Sequence, residues 1–392
     1  MLKPEVATNL VRDNLPNWGT TDLSLAHPRD SILAINITTD RDYPPIDRVM
    51  MDGISLAWEQ YHKGQREFPI IATATPGKPP LQLTNPHSCI EVMTGAPLPG
   101  GCDLVIPYEY LRIQAKTAFI VQEENWSPYA NIHRQGTDLS AGQLVLAAGT
   151  ALQPPQWGIL ASLGYTEITV KKLPRTLIVT TGDELIPPHQ TPKPYQLRQS
   201  NIYALRSALL KHGYQAADVD TIVLPDDYQM LKEHYQKATQ NYEQLIYTGG
   251  VSQGKYDFLP SIWSEVGVTC YVHGVKQRPG KPFYFGVDHN YKTAIFGLPG
   301  NPVSSLVCLY RYVLSVAPRW AKLATPVVFP LPLTYFLPVR ISYSPTAEVL
   351  ATPVPVNNSG DFLSLANTDG FIELPSDRDE FNAGECFPLY YW

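Results

Sequence analysis

The sequence predicts a multidomain α/β-plus-β protein in which a doubly wound, mostly parallel sheet lies between a β-rich stretch and a carboxy-terminal all-β domain. Strand-like segments at 175–181, 216–224, 244–247, 268–272 and 293–297 alternate with helical ones at 200–212, 227–240, 257–266 and 302–316. Such alternation builds parallel strands joined by crossover helices. From about 54 to 150 the chain is short apolar runs broken by Pro and Gly, such as IIATATPGKPPLQL and CDLVIPYEYLRI, the pattern of a β-rich domain. Beyond about 324 the helical period disappears and proline-rich pieces such as YFLPVRISY and ECFPLYYW take over, which reads as a small all-β domain.

Taken in order, Val6, Leu10 and Val11 share one face of an opening helix over 4–14. Ile32, Leu33, Ile35 and Ile37 predict a strand over 31–39. RDYPPIDRVMMDG then carries too much proline and charge for regular structure, and Asp52-Gly53 reads as a surface turn. MTGAPLPGGCD, with Thr94-Gly95, reads as an irregular connection, and NIHRQGTDLSAG, with Arg134 close to Asp138, as a solvated turn. A helix over 154–163 opens on Pro154 and Pro155 and stops before Gly164. In the 200–212 helix Ser200 is the expected cap, Ile202, Leu205 and Leu209 form the buried face, and Gly213 ends it.

A chain of 392 residues exceeds what one hydrophobic core serves. Its 44% hydrophobic and 17% charged residues describe a globular protein, and a net charge of −6 argues against a nucleic-acid partner. The 37 prolines predict many turns. The cysteines Cys89, Cys102, Cys270, Cys308 and Cys386 are odd in number and scattered, as expected of buried thiols in a reducing compartment. The first residues lack the apolar core of a signal peptide, and no apolar run approaches the roughly 20 residues of a membrane span. The cytoplasm is the expected location.

In an open α/β sheet, ligands gather at the carboxyl ends of the strands. Four loops belong to that edge: Thr181-Gly182-Asp183-Glu184, Pro225-Asp226-Asp227, YTGGVSQGKYD at 247–257, and GLPGNPVSS at 297–305. In the third, Gly249, Gly250, Ser252 and Gly254 let backbone N–H groups converge on an anion ahead of a helix start at Asp257. In the fourth, Pro302 opens a helix with free amides before it. Arg278-Pro279-Gly280-Lys281-Pro282 adds two cations on a rigid turn. Glu184, Asp226 or Asp227, and Asp257 suit a hard cation such as Mg²⁺, while Arg278 and Lys281 suit phosphate or another oxyanion. Each loop alone also reads as a plain turn or a helix cap. Four on one edge point to an anionic, metal-assisted ligand.

GGVSQGKYD, RPGKP, GLPGNPVS, TGDEL, SN at 200–201, MTGAPLP, MDG at 51–53 and SGDFLSLANTDGFIELP together resemble the molybdopterin molybdenumtransferases. This is the MoeA family, which includes the C-terminal domain of gephyrin, and the resemblance runs over about 31–392. It implies a cytoplasmic homodimer that inserts molybdenum from molybdate into adenylylated molybdopterin, releasing AMP in an Mg²⁺-dependent step. It also implies four parts: an elongated region from 1–46 with 147–173, an inserted β-rich domain at 47–146, an α/β molybdopterin-binding domain at 174–323, and a C-terminal β-domain at 324–392.

Its active cleft combines the α/β domain of one protomer with the inserted domain of the other. By motif, Asp257, Asp226 and Glu184 would serve Mg²⁺ and the pyrophosphate, and Ser200, Asn201, Gly249, Gly250 and Ser252 the pterin nucleotide. Arg278, Lys281 and Ser304 would receive molybdate or phosphate oxygens, and Asp52, Thr94 and Asp138 would enter the cleft across the dimer. Implied protein partners are the molybdopterin adenylyltransferase and molybdoenzyme acceptors.

The family's usual SAMDGYA is VMMDGIS here, Arg278 stands where lysine is frequent, and Gly274, between His273 and Lys276, takes the place of another common lysine. These departures keep open an alternative, a catalytically impaired pterin-binding or scaffold paralogue of the same fold.

Overall fold

A computed structural model of the chain describes residues 1–251 and 257–392. It forms two compact units, one of Met1–Thr21 with Lys171–Trp392 and the other of Asp22–Val170.

In the first unit a six-stranded sheet has the order Val219–Leu224, Thr176–Thr181, Gln244–Thr248, Thr293–Leu298, Tyr284–Asp288, Thr269–His273. The first four strands are parallel. Tyr284–Asp288 runs against both its neighbours, a reversed strand that the sequence pattern did not separate from the loop before it. Every residue of Thr176–Thr181, Gln244–Thr248 and Thr293–Leu298 is buried, which is why these strands read as continuous apolar runs rather than alternating ones.

Helices Asn201–Lys211, Tyr228–Ala238, Leu259–Glu265 and Pro302–Cys308 cover this sheet. The expected helix over 302–316 is α-helical only to Cys308 and continues as a π-turn, Leu309–Val313. Ser200 stands at the N-cap of its helix but makes no side-chain capping bond. Helix Pro4–Asn14 buries Ala7 and Val11 against the same core, while Val6 is turned outward. The stripe through Ala7, Leu10 and Val11 keeps i+3 and i+4 spacing and leaves Val6 outside it.

The residues after this sheet close into a barrel. Thr334–Tyr343, Val349–Pro353, Arg319–Leu323, Cys386–Tyr391 and Gly370–Leu374 pair in turn, and the last returns to the first. Closure removes exposed strand edges from a small domain. Gln277–Arg278, the start of RPGKP, joins the barrel by pairing with Thr334–Tyr343.

The second unit holds a six-stranded sheet ordered Leu104–Pro107, Gly53–Leu56, Cys89–Val92, Glu67–Ala74, Thr117–Ile120, Leu111–Gln114. Within the expected strand over 31–39 only Ile37–Thr38 is a strand, paired with Leu144–Leu146. Ile32 and Leu33 make single bridges to Ala151 and Val170, so successive residues meet different partners and no common ladder forms. Gly53 opens a strand instead of closing a surface turn; the Ile106 carbonyl crosses where a Cβ would sit.

Of the five cysteines, Cys89, Cys102 and Cys308 are buried as expected, whereas Cys270 and Cys386 are exposed; all are free. Among the described residues no helix is long and apolar enough to cross a membrane.

Candidate active site

The described residues of the four loops read from the sequence lie at the carboxyl ends of the four parallel strands, and residues from each of them line a cavity of about 450 Å³. That volume lies in the range of small-molecule sites. Its lining includes Gly182 and Glu184 after Thr176–Thr181, Asp226 after Val219–Leu224, Gly249 and Gly250 after Gln244–Thr248, and Gly300 to Pro302 after Thr293–Leu298. Arg198, Ser200 and Asn201 complete one wall at the start of helix Asn201–Lys211, and Asp257 another. Gly360 and Phe362 reach the cavity from the barrel domain.

The two carboxylates of Pro225-Asp226-Asp227 divide their work. Asp227 caps helix Tyr228–Ala238 by accepting from the Met230 N–H at 2.8 Å. Asp226 lines the cavity, and its own N–H donates to Asp183 Oδ1 at 3.4 Å. Burial pushes the Asp226 pKa up; the nearby Thr181 hydroxyl opposes this, and the charges of Asp183, Glu184 and Asp257 add to it.

Asn201 ties the floor of the cavity together. Its Nδ2 donates to Thr248 Oγ1 at 2.8 Å and to the Gly300 carbonyl at 2.7 Å, linking a helix start, a strand end and the GLPGNP loop. From the barrel side, Asn301 Nδ2 donates to Ser359 Oγ at 2.6 Å and the Val303 N–H to the Ser359 carbonyl at 3.2 Å. These bonds hold the segment that carries Gly360 and Phe362.

In the other unit, three loops of the sequence reading come together. Strand Arg48–Val49 pairs with Ile132–His133, while the Val49 N–H donates to the Ala96 carbonyl and the Val49 carbonyl accepts from Gly95. RDYPPIDRVMMDG is thereby stitched to both MTGAPLP and NIHRQGTDLSAG. Asp52 Oδ1 accepts from the Thr94 N–H at 2.6 Å and from Thr94 Oγ1 at 2.7 Å. The Thr94 backbone bond first, and its hydroxyl second, lower the Asp52 pKa, so this exposed carboxylate is held charged. Asp138 Oδ1 lies 2.8 Å from His133 Nε2.

Three family models match in succession: the MoeA N-terminal region (domain I and II) over 2–164, the probable molybdopterin binding domain over 177–319, and the MoeA C-terminal region (domain IV) over 321–392. A molybdopterin molybdenumtransferase of Synechocystis sp. is 48% identical over 392 residues, 100% of each chain. The chain belongs to the MoeA family. The molybdopterin molybdenumtransferase of Bacillus subtilis is 28% identical over 370 residues, 90% of this chain and 85% of that one. Among solved structures, a molybdopterin biosynthesis MoeA protein from Pyrococcus horikosii superposes with a TM-score of 0.81 at 26% identity, covering 100% of this chain and 99% of that one.

In this MoeA family member Glu184, Asp226, Asp257, Ser200, Asn201, Gly249 and Gly250 line one cavity. Ser252 lies outside the described residues. Arg278 opens instead on a smaller cavity of about 140 Å³ beside Val303, Tyr335, Phe336 and Ser359. Lys281 is exposed and Ser304 buried, and neither lines these two cavities. The RPGKP turn is occupied in packing: a Cβ on Gly280 would fall 2.6 Å from both Cys308 Sγ and Gln277 Nε2.

Among the described residues, the cation that lines the main cavity is Arg198, which the sequence reading missed. Its signal was its position two residues before Ser200-Asn201. Phe362 was missed as well, although it stands inside the SGDFLSLANTDG motif. Gly274, where the family often carries lysine, has φ +86°, and a Cβ there would sit 3.3 Å from Met1 Cγ. The Leu2 N–H donates to the Gly274 carbonyl, so the amino-terminal residues occupy the space beside this position.

Gly249 and Gly250 have φ of +95° and +66°, and a Cβ on Gly249 would lie 2.8 Å from the Thr181 carbonyl oxygen and 2.9 Å from Thr181 Oγ1. Gly249→Ala is therefore expected to cost about 1–3 kcal/mol of backbone strain, with the collision against Thr181 added to it. Gly267, with φ +86° and open space around it, is the control, since Gly267→Ala incurs the strain alone. Denaturant unfolding of both variants checks the difference. Equal losses would show that the contact with Thr181 is unimportant.

Proposed function

We infer that the chain transfers molybdenum from molybdate to adenylylated molybdopterin with release of AMP, a late step of molybdenum cofactor biosynthesis. The observation that carries this reading is the cavity where three acids, a paired-glycine loop and a helix start meet at the carboxyl edge of the sheet, in a chain that matches molybdopterin molybdenumtransferases over its full length.

Two acidic groups and a phosphate are a usual way to hold Mg²⁺, which keeps several waters and needs no all-protein cage. Among the described residues no three His, Cys, Asp or Glu side chains gather closely enough to enclose an ion alone. Glu184, Asp226 and Asp257 fit the open arrangement, and the Asp226 pKa is raised first by burial and then by neighbouring negative charge, both of which a bound cation would offset. Bound there, Mg²⁺ would neutralise charge at the phosphoanhydride.

On this reading Ser200, Asn201, Gly249, Gly250 and Ser252 hold the pterin nucleotide, and Arg198 joins them as a phosphate contact. Arg278, Lys281 and Ser304 serve the molybdate oxygens apart from that cavity. Asp52, Thr94 and Asp138 act from the second protomer of a homodimer, completing a composite site. The four-part division at 46, 146, 173 and 323 is the matching domain plan, the location is the cytoplasm, and the protein partners are the adenylyltransferase that supplies the substrate and the molybdoenzymes that accept the product.

Incubating the protein with adenylylated molybdopterin, molybdate and Mg²⁺ should release AMP in step with active cofactor. Tight pterin binding without AMP release by the folded protein would overturn the reading in favour of a scaffold paralogue.

A further inference from the structure

Arg48 and His133 sit directly opposite each other in the short antiparallel pair of Arg48–Val49 and Ile132–His133, a placement that brings cross-strand side chains into contact. Arg48 Nη2 lies 3.3 Å from His133 Nδ1, and His133 Nε2 lies 2.8 Å from Asp138 Oδ1. A guanidinium can only donate. His133 Nδ1 must then accept, which leaves the ring proton on Nε2, aimed at the carboxylate. Three residues thus form a directed chain in which Arg48 donates to His133 and His133 donates to Asp138.

The backbone beneath this chain is held independently. The Asp138 N–H donates to the Tyr43 carbonyl at 2.9 Å, the Gln135 N–H to Asp47 Oδ1 at 2.7 Å, and Thr137 Oγ1 to the Arg134 carbonyl at 2.8 Å. Loop geometry therefore places the Asp138 Cα without help from His133. The Asp138 side chain is 56% exposed while that of His133 is 25% exposed, so the carboxylate extends past its support into solvent. With its backbone fixed and its side chain otherwise open, the orientation of the carboxylate depends on the imidazole.

We propose that His133 is a positioning residue, set in one tautomer by Arg48, that orients the Asp138 carboxylate for the transfer reaction. The proposal rests on the function inferred above and on a working role for Asp138. By engaging Oδ1, the imidazole fixes the plane in which the second oxygen is presented. A catalytic group released from its proper orientation loses rate more than binding.

The test uses the full-length protein at saturating adenylylated molybdopterin, molybdate and Mg²⁺. His133→Ala is expected to lower kcat of AMP release between about tenfold and a hundredfold with KM little changed, and His133→Gln, whose amide can still accept from Arg48 and donate to Asp138, to restore most of it. Asp138→Ala combined with His133→Ala should be no slower than Asp138→Ala alone, because the histidine acts through the acid. Full activity of His133→Ala, or losses that multiply in the double variant, would overturn the proposal.

A second readout does not depend on turnover. ¹⁵N NMR of the imidazole should show the Nε2-protonated tautomer in the unaltered protein and a changed tautomer balance in Arg48→Met. A ring protonated at Nδ1 would refute the relay even if the protein released no AMP, whereas absent AMP release with the expected tautomer would strike at the inferred reaction alone.

Discussion

Replacing Asp226 by asparagine is expected to reduce AMP release by at least about a hundredfold, the scale of losing one preorganised charge at a reacting group, while the protein stays folded and melts no lower than before. The second half of this expectation follows from its environment. Burial and the charges of Asp183, Glu184 and Asp257 raise the Asp226 pKa above its ordinary 3.8. A raised carboxyl pKa means that the folded protein binds that proton more tightly than the unfolded chain does. The resulting stability is present below 3.8 and is lost as pH rises through the folded pKa. At neutral pH the charged acid therefore opposes folding, and asparagine removes that opposition.

The melting difference between variant and parent should accordingly vanish in acid and grow toward neutrality. Added Mg²⁺ should narrow it, since a cation that binds the acids stabilises the parent more than the variant. Melting scans across this pH range with and without Mg²⁺, beside the AMP assay, check each part. Undiminished turnover would remove Asp226 from the reaction. A large drop in melting temperature would make it a structural residue.

The sheet and much of its ligand edge were legible because the physics there is local. Continuous apolar strands, helix starts at Pro302 and Asp227, and paired glycines all leave marks within a few residues of chain, and the structure gathers the loops they bound around one cavity. The strand over 31–39 failed for the opposite reason: Ile32, Leu33 and Ile37 each pair with a different segment, and Ile32 stays exposed, so the apolar run there has no shared ladder. The reversed strand Tyr284–Asp288 was hidden because all its residues are buried, so no apolar–polar alternation marks it off in the sequence. Which cation faces the cavity could not be read locally. Arg278 reads in sequence as a cation on a rigid turn beside the ligand edge, but its strand pairs with the barrel, and Arg198 takes the cavity wall. Phe362 and Gly360 arrive from more than a hundred residues beyond the glycine loop, in a segment held by bonds from Asn301 and Val303 to Ser359.

The largest loss of stability is expected from Arg311→Met. Arg311 Nε lies 3.0 Å from Glu373 Oε2, and the two side chains are only 11% and 9% exposed. Arg311 Nη1 also donates to Thr8 Oγ1 at 2.7 Å, and the Tyr390 hydroxyl donates to Glu373 Oε2 at 2.8 Å. One ion pair therefore joins the opening helix, the π-turn that extends helix Pro302–Cys308, and the barrel. Removing the guanidinium leaves Glu373 as a buried charge without its counter-ion, which costs about 3–5 kcal/mol. Replacing both partners should cost much less, because the buried charge goes with its counterpart; Arg311→Met with Glu373→Leu is thus expected to recover most of the stability in denaturant unfolding.

The same pair bears on the active site. The helix whose π-extension carries Arg311 starts at the cavity with Pro302, and the barrel that carries Glu373 supplies Gly360 and Phe362 to the cavity wall. If the clamp sets that wall, the single variant should bind substrate more weakly than the double one, with KM rising before kcat falls. An equally destabilised double variant would show that the packing of these side chains, and not the stranded charge, is what holds the barrel in place.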